Sequence, residues 1–388
     1  MKKVIIISLL VPLIFISGCD ENVNPSSPES YTFPLKPPQI IMPQEPVLPE
    51  PVDIIEDRKV GYTEDLTNHR FINCEISVKG KGVTVSNCEF INSIIYVDNS
   101  KDILFENSII RDLNKYEETS LRLYKTDNIT ITGCLFMDNY IGLGIGECSA
   151  YISGNRFIRN NGHNALVIGN GSRVVVTDNY FYGSFPHAIL VLNREDNPRA
   201  VVEIHHNLID RTGEDAINFE DFRNADISIV SENVITNTGW SAVLIEYNSW
   251  DSNITVKGNW VEGTGIPWDL PLHTLNPETF SAGWGHGILI EDSSMVTVID
   301  NRILGAAETG IEVVNAQNIV LKNNGISSTG TGIGVRRYNE SSLQREYSPL
   351  QPGNAGSAVV SVSGNSFLET KEDYYVDEFS ELIHLDER

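Results

Sequence analysis

The sequence predicts an all-β solenoid of stacked parallel strands, and two repeated patterns carry this prediction. In the first, alternating apolar residues are followed by polar residues, an Asn or Gly and a further apolar residue, as in Val174–Phe181 and Val202–Ile209. In the second, a small residue precedes an apolar, a variable and an apolar residue, as in Ala188–Val191 and Ala242–Ile245. Both have the period of a strand rather than a helix. One unit cannot bury its inner face alone, so we expect the units to stack.

The recurring asparagines of the first pattern give the length of one coil of the stack. Their side chains are expected to hydrogen-bond along the stack to the neighbouring coils. The intervals between successive members are 24, 28, 26 and 26 residues for Asn155, Asn179, Asn207, Asn233 and Asn259.

Residues 1–18 have the features of a signal peptide, because two lysines precede the apolar stretch Val4–Ile16 and small residues follow it. The segment Ile16–Cys19 resembles the lipobox of bacterial lipoproteins. This resemblance implies that Cys19 becomes the acylated N-terminus. It also implies an anchored protein of the cell envelope, at the periplasmic side of the inner membrane or at the outer membrane. The alternative is an ordinary thiol at the end of a secretory signal.

Residues 19–55 are predicted to be a tether, since prolines at positions 37, 38, 43, 46, 49 and 51 favour an extended chain that cannot bury a core. The folded domain is predicted over residues 56–388. We expect this domain to be a monomer.

Composition limits the partners of the folded domain. The chain carries 28 Lys and Arg against 52 Asp and Glu, a formal charge of −24. That sign is wrong for binding phosphate backbones, so a nucleic acid partner is not expected. No apolar run after the N-terminus reaches the roughly 18 residues that cross a bilayer. The lipid anchor is therefore the only membrane contact we expect.

The repeats resemble the right-handed parallel β-helix of the pectate-lyase superfamily over about residues 68–370. This resemblance implies a right-handed parallel β-helix fold and, as the leading expectation, a protein that acts on an extracellular polysaccharide. The scaffold also carries hydrolases, epimerases and phage adhesins, so the fold does not set the reaction.

Cys74 and Cys88 occupy the same position in two successive repeats when the repeats are aligned by pattern. Their backbones would then lie about 4.8 Å apart, close enough for a disulfide. A disulfide and a stacked pair of reduced thiols are both open interpretations.

One strand of each repeat is predicted to present a column of carboxylates outward. Side chains alternate along a strand, so the residue after the second apolar position points away from the core. On three successive coils that residue is Glu220, Glu246 or Glu291, and Asn218 lies two residues before the first. Stacked carboxylates repel, so either one is protonated or a cation lies among them. The alternative is a solvated face of an acidic protein.

Just before these strands, His187, Asp215, Ser241 and His286 lie on successive coils. Two histidines flanking an aspartate supply a candidate base and acid for one ligand. A structural, hydrogen-bonding role is the alternative for each histidine.

All five tryptophans fall within residues 240–284, close to the carboxylate column. Aromatic side chains beside a polar groove suit stacking on sugar rings. The alternative is that the indoles cap an irregular part of the stack. The predicted substrate-binding tryptophans are Trp240, Trp250, Trp268 and Trp284.

Asn218, Glu220 and Glu246 resemble the calcium site of chondroitinase B and alginate lyases, where Asn and Glu side chains hold Ca²⁺ against a uronate carboxylate. This resemblance implies a lyase acting by β-elimination with Ca²⁺ as cofactor. No lysine lies on this face, so the predicted base is His187 or His286. The supporting cation would be Arg223 or Arg336.

A second resemblance is to polygalacturonase-type hydrolases, through Gly213-Glu214-Asp215, Gly285-His286-Gly287 and Arg302-Ile303-Leu304. It implies a glycoside hydrolase as the alternative to the lyase. A third alternative is a non-catalytic polysaccharide-binding protein of the envelope.

Overall fold

The computed structural model describes residues 37–194, 196–249, 252–265, 285–337 and 358–385. Within them the chain forms three parallel sheets of thirteen strands each, and each coil contributes one strand to every sheet. Strands three apart in the chain are therefore neighbours, as the predicted stacking requires. None of the described residues forms a helix long and apolar enough to cross a membrane.

Strands are numbered along the chain. Sheet A consists of β1 (Asp53–Glu56), β4 (His69–Ile72), β7 (Glu89–Ile91), β10 (Ile109–Arg111), β13 (Leu135–Met137), β16 (Arg156–Ile158), β19 (Tyr180–Ser184), β22 (Leu208–Thr212), β25 (Val234–Thr238), β28 (Trp260–Thr264), β31 (Arg302–Ala306), β34 (Gly325–Ser327) and β37 (Ser366–Leu368). Sheet B consists of β2 (Lys59–Tyr62), β5 (Glu75–Val78), β8 (Ile94–Asp98), β11 (Thr119–Tyr124), β14 (Ile141–Gly146), β17 (Asn164–Gly169), β20 (Ile189–Asn193), β23 (Ile217–Phe222), β26 (Val243–Glu246), β29 (Ile288–Glu291), β32 (Thr309–Val314), β35 (Thr331–Arg336) and β38 (Glu372–Val376). Sheet C consists of β3 (Leu66–Thr67), β6 (Thr84–Ser86), β9 (Lys101–Glu106), β12 (Asp127–Thr132), β15 (Ser149–Ser153), β18 (Arg173–Thr177), β21 (Val201–His205), β24 (Ser228–Ser231), β27 (Ile254–Lys257), β30 (Ser294–Ile299), β33 (Gln317–Lys322), β36 (Val359–Ser363) and β39 (Glu381–His384).

The core is a continuous apolar column between the three sheets. The inward residues of β20 and β23 show the pattern, since Ile189, Val191, Ile217 and Phe219 are completely buried. Phenylalanines of sheet A stack from coil to coil. Their ring centroids lie 4.7 Å apart for Phe136 and Phe157, and 4.6 Å apart for Phe157 and Phe181.

A ladder of buried asparagines runs along the corner between sheets C and A, as predicted. The Asn233 side chain accepts the backbone N–H of Asn207 at 3.0 Å and donates to the side-chain oxygen of Asn259 at 3.0 Å. The buried members of the ladder are Asn155, Asn179, Asn207, Asn233, Asn259, Asn301 and Asn324, and half-buried Asn365 extends it.

Replacing Asn233 by Ala is expected to destabilise the fold. The substitution removes the acceptor of two Asn207 donors and leaves the Ile204 carbonyl without its side-chain donor. Each buried group left unpaired costs about 1–3 kcal/mol. The free energy of unfolding in urea measures the loss. Exposed Asn253 is the control, and a loss no larger for Asn233→Ala than for Asn253→Ala would contradict the structural role of the ladder.

The predicted alignment of Cys74 with Cys88 is wrong. Cys74 lies between strands of sheets A and B and stacks on Ser93, whereas Cys88 lies between strands of sheets C and A and stacks on Ser108. The two corners of a coil carry similar small residues, which made the positions look equivalent. The four described cysteines are free, buried thiols.

The Pro-rich segment meets the solenoid earlier than its predicted boundary at residue 55. The first strand of sheet A is β1, which lies within the predicted tether. Arg156 donates to the Pro43 carbonyl at 3.3 Å and pairs with the Glu45 carboxylate at 3.0 Å. The described residues fall within one compact unit, so the described part of the predicted tether belongs to the same unit as the solenoid.

Candidate functional site

The predicted carboxylate column is present on the outer face of sheet B. Glu220, Glu246 and Glu291 are in register on β23, β26 and β29. Glu220 is exposed, Glu246 is half-buried and Glu291 is buried, so the exposure of the column decreases from Glu220 to Glu291. The Asn218 side chain also points outward and donates to Glu246 Oε1 at 3.4 Å.

The four residues predicted to lie just before these strands are found at the A–B corner, which is the bend between a strand of sheet A and the next strand of sheet B. His187, Asp215, Ser241 and His286 all lie there and are buried. The backbone ladder links their coils, since the Ala216 N–H donates to the Ser241 carbonyl at 3.1 Å. The register of the flanking strands aligns these residues on successive coils.

Three of the corner side chains form what we call the His187 cluster: His187, Glu214 and Asp215. His187 Nδ1 lies 3.6 Å from Asp215 Oδ2, and His187 Nε2 lies 3.9 Å from Glu214 Oε2. The other oxygen of Asp215, Oδ1, accepts the backbone N–H of Ser241 at 2.9 Å. The imidazole is thus flanked by two carboxyl groups from the next coil.

Burial sets the protonation states of this cluster. It lowers the pKa of His187 to about 4 and raises that of Glu214 to about 7. Burial also raises the pKa of Asp215 well above its usual value, and the Glu214 and Glu246 charges act in the same direction. Near neutral pH the imidazole is therefore uncharged and the cluster retains at least one carboxyl proton. A proton acceptor and a proton donor lie within 4 Å of each other.

Close packing of the corner backbone holds Glu214 in place. A Cβ at Gly213 would lie 1.9 Å from the Phe185 ring, so only glycine fits there. The Glu214 N–H donates to the Pro186 carbonyl at 2.9 Å, and the Trp240 N–H donates to the Glu214 carbonyl at 3.2 Å.

Trp240 lies on the coil after Glu214, and its substrate-binding role stays a prediction. Its indole is half-buried, and its Nε1 is buried with no hydrogen-bond partner among the described residues. The other predicted tryptophans, Trp250, Trp268 and Trp284, lie outside the described residues.

A second ionisable group of side chains lies farther along the same face, and we call it the Arg336 cluster: His286, Glu308, Glu312 and Arg336. Arg336 Nε lies 2.8 Å from Glu312 Oε1, and the guanidinium lies 4.8 Å from the centre of the Tyr375 ring. His286 Nε2 lies 3.8 Å from Glu308 Oε2. Burial lowers the pKa of His286 to about 4 and raises that of Glu312 to about 7, and Arg336 opposes the rise at Glu312.

The two candidate histidines therefore belong to two different clusters, and Glu220, Glu246 and Glu291 form a column that belongs to neither. Asp215 and His286 are separated by two coil steps, about 10 Å at about 4.8 Å per step. Arg223 joins neither cluster. It follows β23 at the end of the strand opposite Asp215, and its Nε contacts Asp221 Oδ1 at 2.6 Å.

Sequence reasoning did not select Glu214, Glu308 or Glu312 as site residues. Glu214 adjoins Asp215 within the Gly213-Glu214-Asp215 motif, and Glu312 occupies the same outward column as Asn218. The positions of Glu214 and Glu312 in the fold could therefore be predicted from the sequence. Their burial, which raises their pKa values, could not.

The described residues contain no group of three or more His, Cys, Asp or Glu side chains arranged to hold a metal ion. Among the predicted calcium ligands, Asn218 turns its amide nitrogen toward Glu246. Calcium takes oxygen ligands, and the Asn218 Oδ1 atom is buried without a hydrogen-bond partner among the described residues. The calcium site stays a prediction.

Two family models match the sequence in succession. Residues 61–201 match the right handed beta helix region. Residues 204–378 match the model described as periplasmic copper-binding protein (NosD). No curated protein matches the chain.

Three solved structures are similar to this chain over most of its length. The periplasmic alginate epimerase AlgG, in a mutant form, gives a TM-score of 0.57 at 16% identity, covering 81% of this chain and 77% of that one. The catalytic domain of a GH87 alpha-1,3-glucanase with bound tetrasaccharides gives 0.51 at 12% identity, covering 87% and 63%. The Agl-KA catalytic domain gives 0.50 at 15% identity, covering 86% and 59%.

The chain thus spans less than two thirds of the latter two structures. At these identities the similarity shows the fold alone. Together with the three parallel sheets and the match of residues 61–201 to the right handed beta helix region, it shows that the chain folds as a parallel β-helix.

Proposed function

We propose that this protein is a polysaccharide-acting enzyme that performs acid–base chemistry on a uronate-containing chain, by β-elimination. The observation that carries the proposal is the His187 cluster, in which an uncharged imidazole lies within 4 Å of two carboxyl groups with raised pKa values. β-Elimination needs both partners, a base for the C5 proton of the uronate and an acid for the leaving oxygen.

In this mechanism His187 Nε2, the ring nitrogen on the Glu214 side, accepts the C5 proton. The electrons of the C5–H bond form the C4–C5 double bond as the C4–O bond breaks. The protonated Glu214 carboxyl donates its proton to the departing oxygen. Asp215, held by the Ser241 N–H, lies with its other carboxyl oxygen 3.6 Å from His187 Nδ1.

The raised pKa values also reduce the repulsion between an acidic protein and a polyanion. The chain has a formal charge of −24 when every carboxyl group is ionised. Burial raises the pKa of Glu214 and Glu312, so these two groups carry less negative charge than exposed glutamates near neutral pH. Protonated carboxyls can also donate hydrogen bonds to a uronate carboxylate.

The structural similarities support the polysaccharide class. An alginate epimerase and glucanase structures share the solenoid, and one glucanase structure holds tetrasaccharides. The NosD match supports a location in the cell envelope. The lipid anchor at Cys19 and the signal peptide lie outside the described residues and stay part of the proposal.

The described residues do not offer a copper site of the kind that the NosD description suggests. The four described cysteines are buried, and the thiols of Cys74, Cys88, Cys134 and Cys148 donate to backbone carbonyls. No step of the mechanism is therefore assigned to copper. The calcium prediction is tested separately, by titrating Ca²⁺ into the wild type and into Glu246→Gln.

A glycoside hydrolase is the second candidate. The paired carboxyls Glu214 and Asp215 favour it, because a carboxyl with a raised pKa is the usual general acid of such enzymes. Hydrolysis would generate reducing ends without a new double bond.

The test is incubation with alginate, polygalacturonate and a neutral α-1,3-glucan, followed by ultraviolet absorbance and reducing-end assays. We expect an ultraviolet-absorbing product from a uronate polymer. Reducing ends without that absorbance would instead establish a hydrolase. Glu214→Gln should remove the activity, and Glu203→Gln, on the outer face of β21 in sheet C, is the matched control. Binding to polymers without either product would show a non-catalytic protein.

The activity should depend on pH with two limbs. Protonation of His187 removes the base below pH about 4. Ionisation of Glu214 removes the acid above pH about 7. We therefore expect kcat/KM to be highest between these values and to fall on both sides. A profile that rises continuously from pH 7 to pH 9 would contradict the assignment of Glu214 as the acid.

A further inference from the structure

An aromatic row leads away from the His187 cluster toward the N-terminal coils. It consists of Tyr116, Tyr140 and His163, and we call it the aromatic platform. Tyr140 and His163 lie at the A–B corner directly before β14 and β17, and His187 lies at the same corner before β20. Tyr116 lies in the loop before β11. The four residues thus occupy four successive coils.

The rings of the platform contact one another. The Tyr140 and His163 rings are stacked, with centroids 6.3 Å apart and an interplanar angle of 23°. The Tyr116 ring meets the Tyr140 ring edge to face at 5.4 Å. A Cβ at Gly162 would lie 2.0 Å from the Tyr140 ring, so a glycine lets the backbone pass against this ring.

Hydrogen bonds connect the platform to the His187 cluster. The His163 N–H donates to the Tyr140 carbonyl at 2.8 Å. Asn164 Nδ2 lies 2.7 Å from His163 Nδ1, and Asn164 Oδ1 accepts the His187 N–H at 3.3 Å. Asn164 is therefore shared by the platform and the candidate site.

The platform faces solvent beside a floor formed by a glycine-rich strand. Tyr116 is 74% exposed, although tyrosine is a large amphipathic residue that usually covers apolar surface. The outward positions of β14 next to it are Gly144 and Gly146, which carry no side chains of their own. The side chain of Thr119 lies over Gly144, and those of Tyr124 and Asn170 lie over Gly146. Arg122 is exposed on β11 in register with Gly144 and places a positive charge at this floor.

We propose that the aromatic platform binds sugar units of the substrate on the N-terminal side of the cleavage point, with Arg122 receiving a uronate carboxylate. This inference rests on the proposed function. Sugar rings present apolar C–H faces, for which exposed tyrosines are suitable partners. The coils are spaced about 4.8 Å apart, comparable to the length of one pyranose unit. Three coil steps separate Tyr116 from His187, so the platform is long enough to contact about three sugar units.

The test measures binding of uncleaved oligosaccharides. Glu214→Gln serves as the background, and isothermal titration with alginate and polygalacturonate oligomers, from disaccharide to octasaccharide, gives the Kd. Adding Tyr116→Ala should weaken binding of the octasaccharide about tenfold, an effect of the size of one aromatic contact. The disaccharide, which cannot reach from the cluster to Tyr116, should lose much less. Arg122→Gln should also weaken binding of the uronate octasaccharide.

Tyr151→Ala on sheet C is the matched control, because this tyrosine is also exposed and lies on another face. Tyr116 is exposed, so its loss should leave the melting temperature unchanged. If Tyr116→Ala and Arg122→Gln bind the octasaccharide as tightly as Tyr151→Ala while the wild type cleaves the polymer, the platform inference is wrong and the proposed function stands. If the wild type binds the octasaccharide through Tyr116 without cleaving any polymer, the inference stands and the enzyme assignment fails. If it neither binds nor cleaves any of the polymers, both are wrong.

Discussion

Replacing His187 by Gln is expected to lower kcat on a uronate polymer about 10²–10⁴-fold, the usual contribution of a general base. The imidazole is the uncharged proton acceptor of the cluster, and glutamine keeps a polar side chain of similar reach without a basic nitrogen. The measurement is the initial rate of ultraviolet absorbance at saturating substrate. His384, exposed on the last strand, provides the control variant His384→Gln.

A structural explanation of that loss can be separated from a catalytic one. His187 is buried, so the melting temperature of His187→Gln should be measured beside its rate. A folded variant with full activity would show that His187 is not the base. If His286→Gln alone removes activity while His187→Gln retains it, the Arg336 cluster is the reaction site.

Replacing Phe157 by Ala should cause the largest loss of stability among the substitutions considered, about 3–5 kcal/mol. Phe157 is completely buried and lies between the Phe136 and Phe181 rings. Its removal leaves a cavity that two rigid neighbouring rings cannot fill. Urea unfolding of Phe157→Ala against Tyr151→Ala measures the difference. A loss below about 1 kcal/mol would mean that the ring stack is not a source of stability.

Most of the fold was predictable because the sequence repeats a strand pattern at the length of one coil. Alternation along each strand fixed which residues point outward, and this placed Glu220, Glu246 and Glu291 in one column. The spacing of the asparagines likewise predicted the ladder. These features depend on local pattern and on stacking, both of which a sequence displays directly.

Other features depend on which corner a residue occupies and on what covers it. Cys74 and Cys88 follow strands of different sheets, a distinction that similar corner sequences conceal. Glu214 and Glu220 are six residues apart, yet Glu214 is the more buried of the two. The contact between Arg156 and Glu45 joins residues far apart in the chain. Such outcomes follow from tertiary packing rather than from periodicity.

The proposed mechanism requires His187 to be uncharged beside a protonated Glu214 carboxyl between about pH 4 and pH 7. An NMR titration of the His187 ring nitrogens and the Glu214 carboxyl carbon in the folded protein tests it without any substrate. We expect an imidazole that titrates near pH 4 and a carboxyl that titrates near pH 7. An imidazole that titrates near its ordinary value of about 6.5, together with a carboxyl near about 4.3, would contradict it.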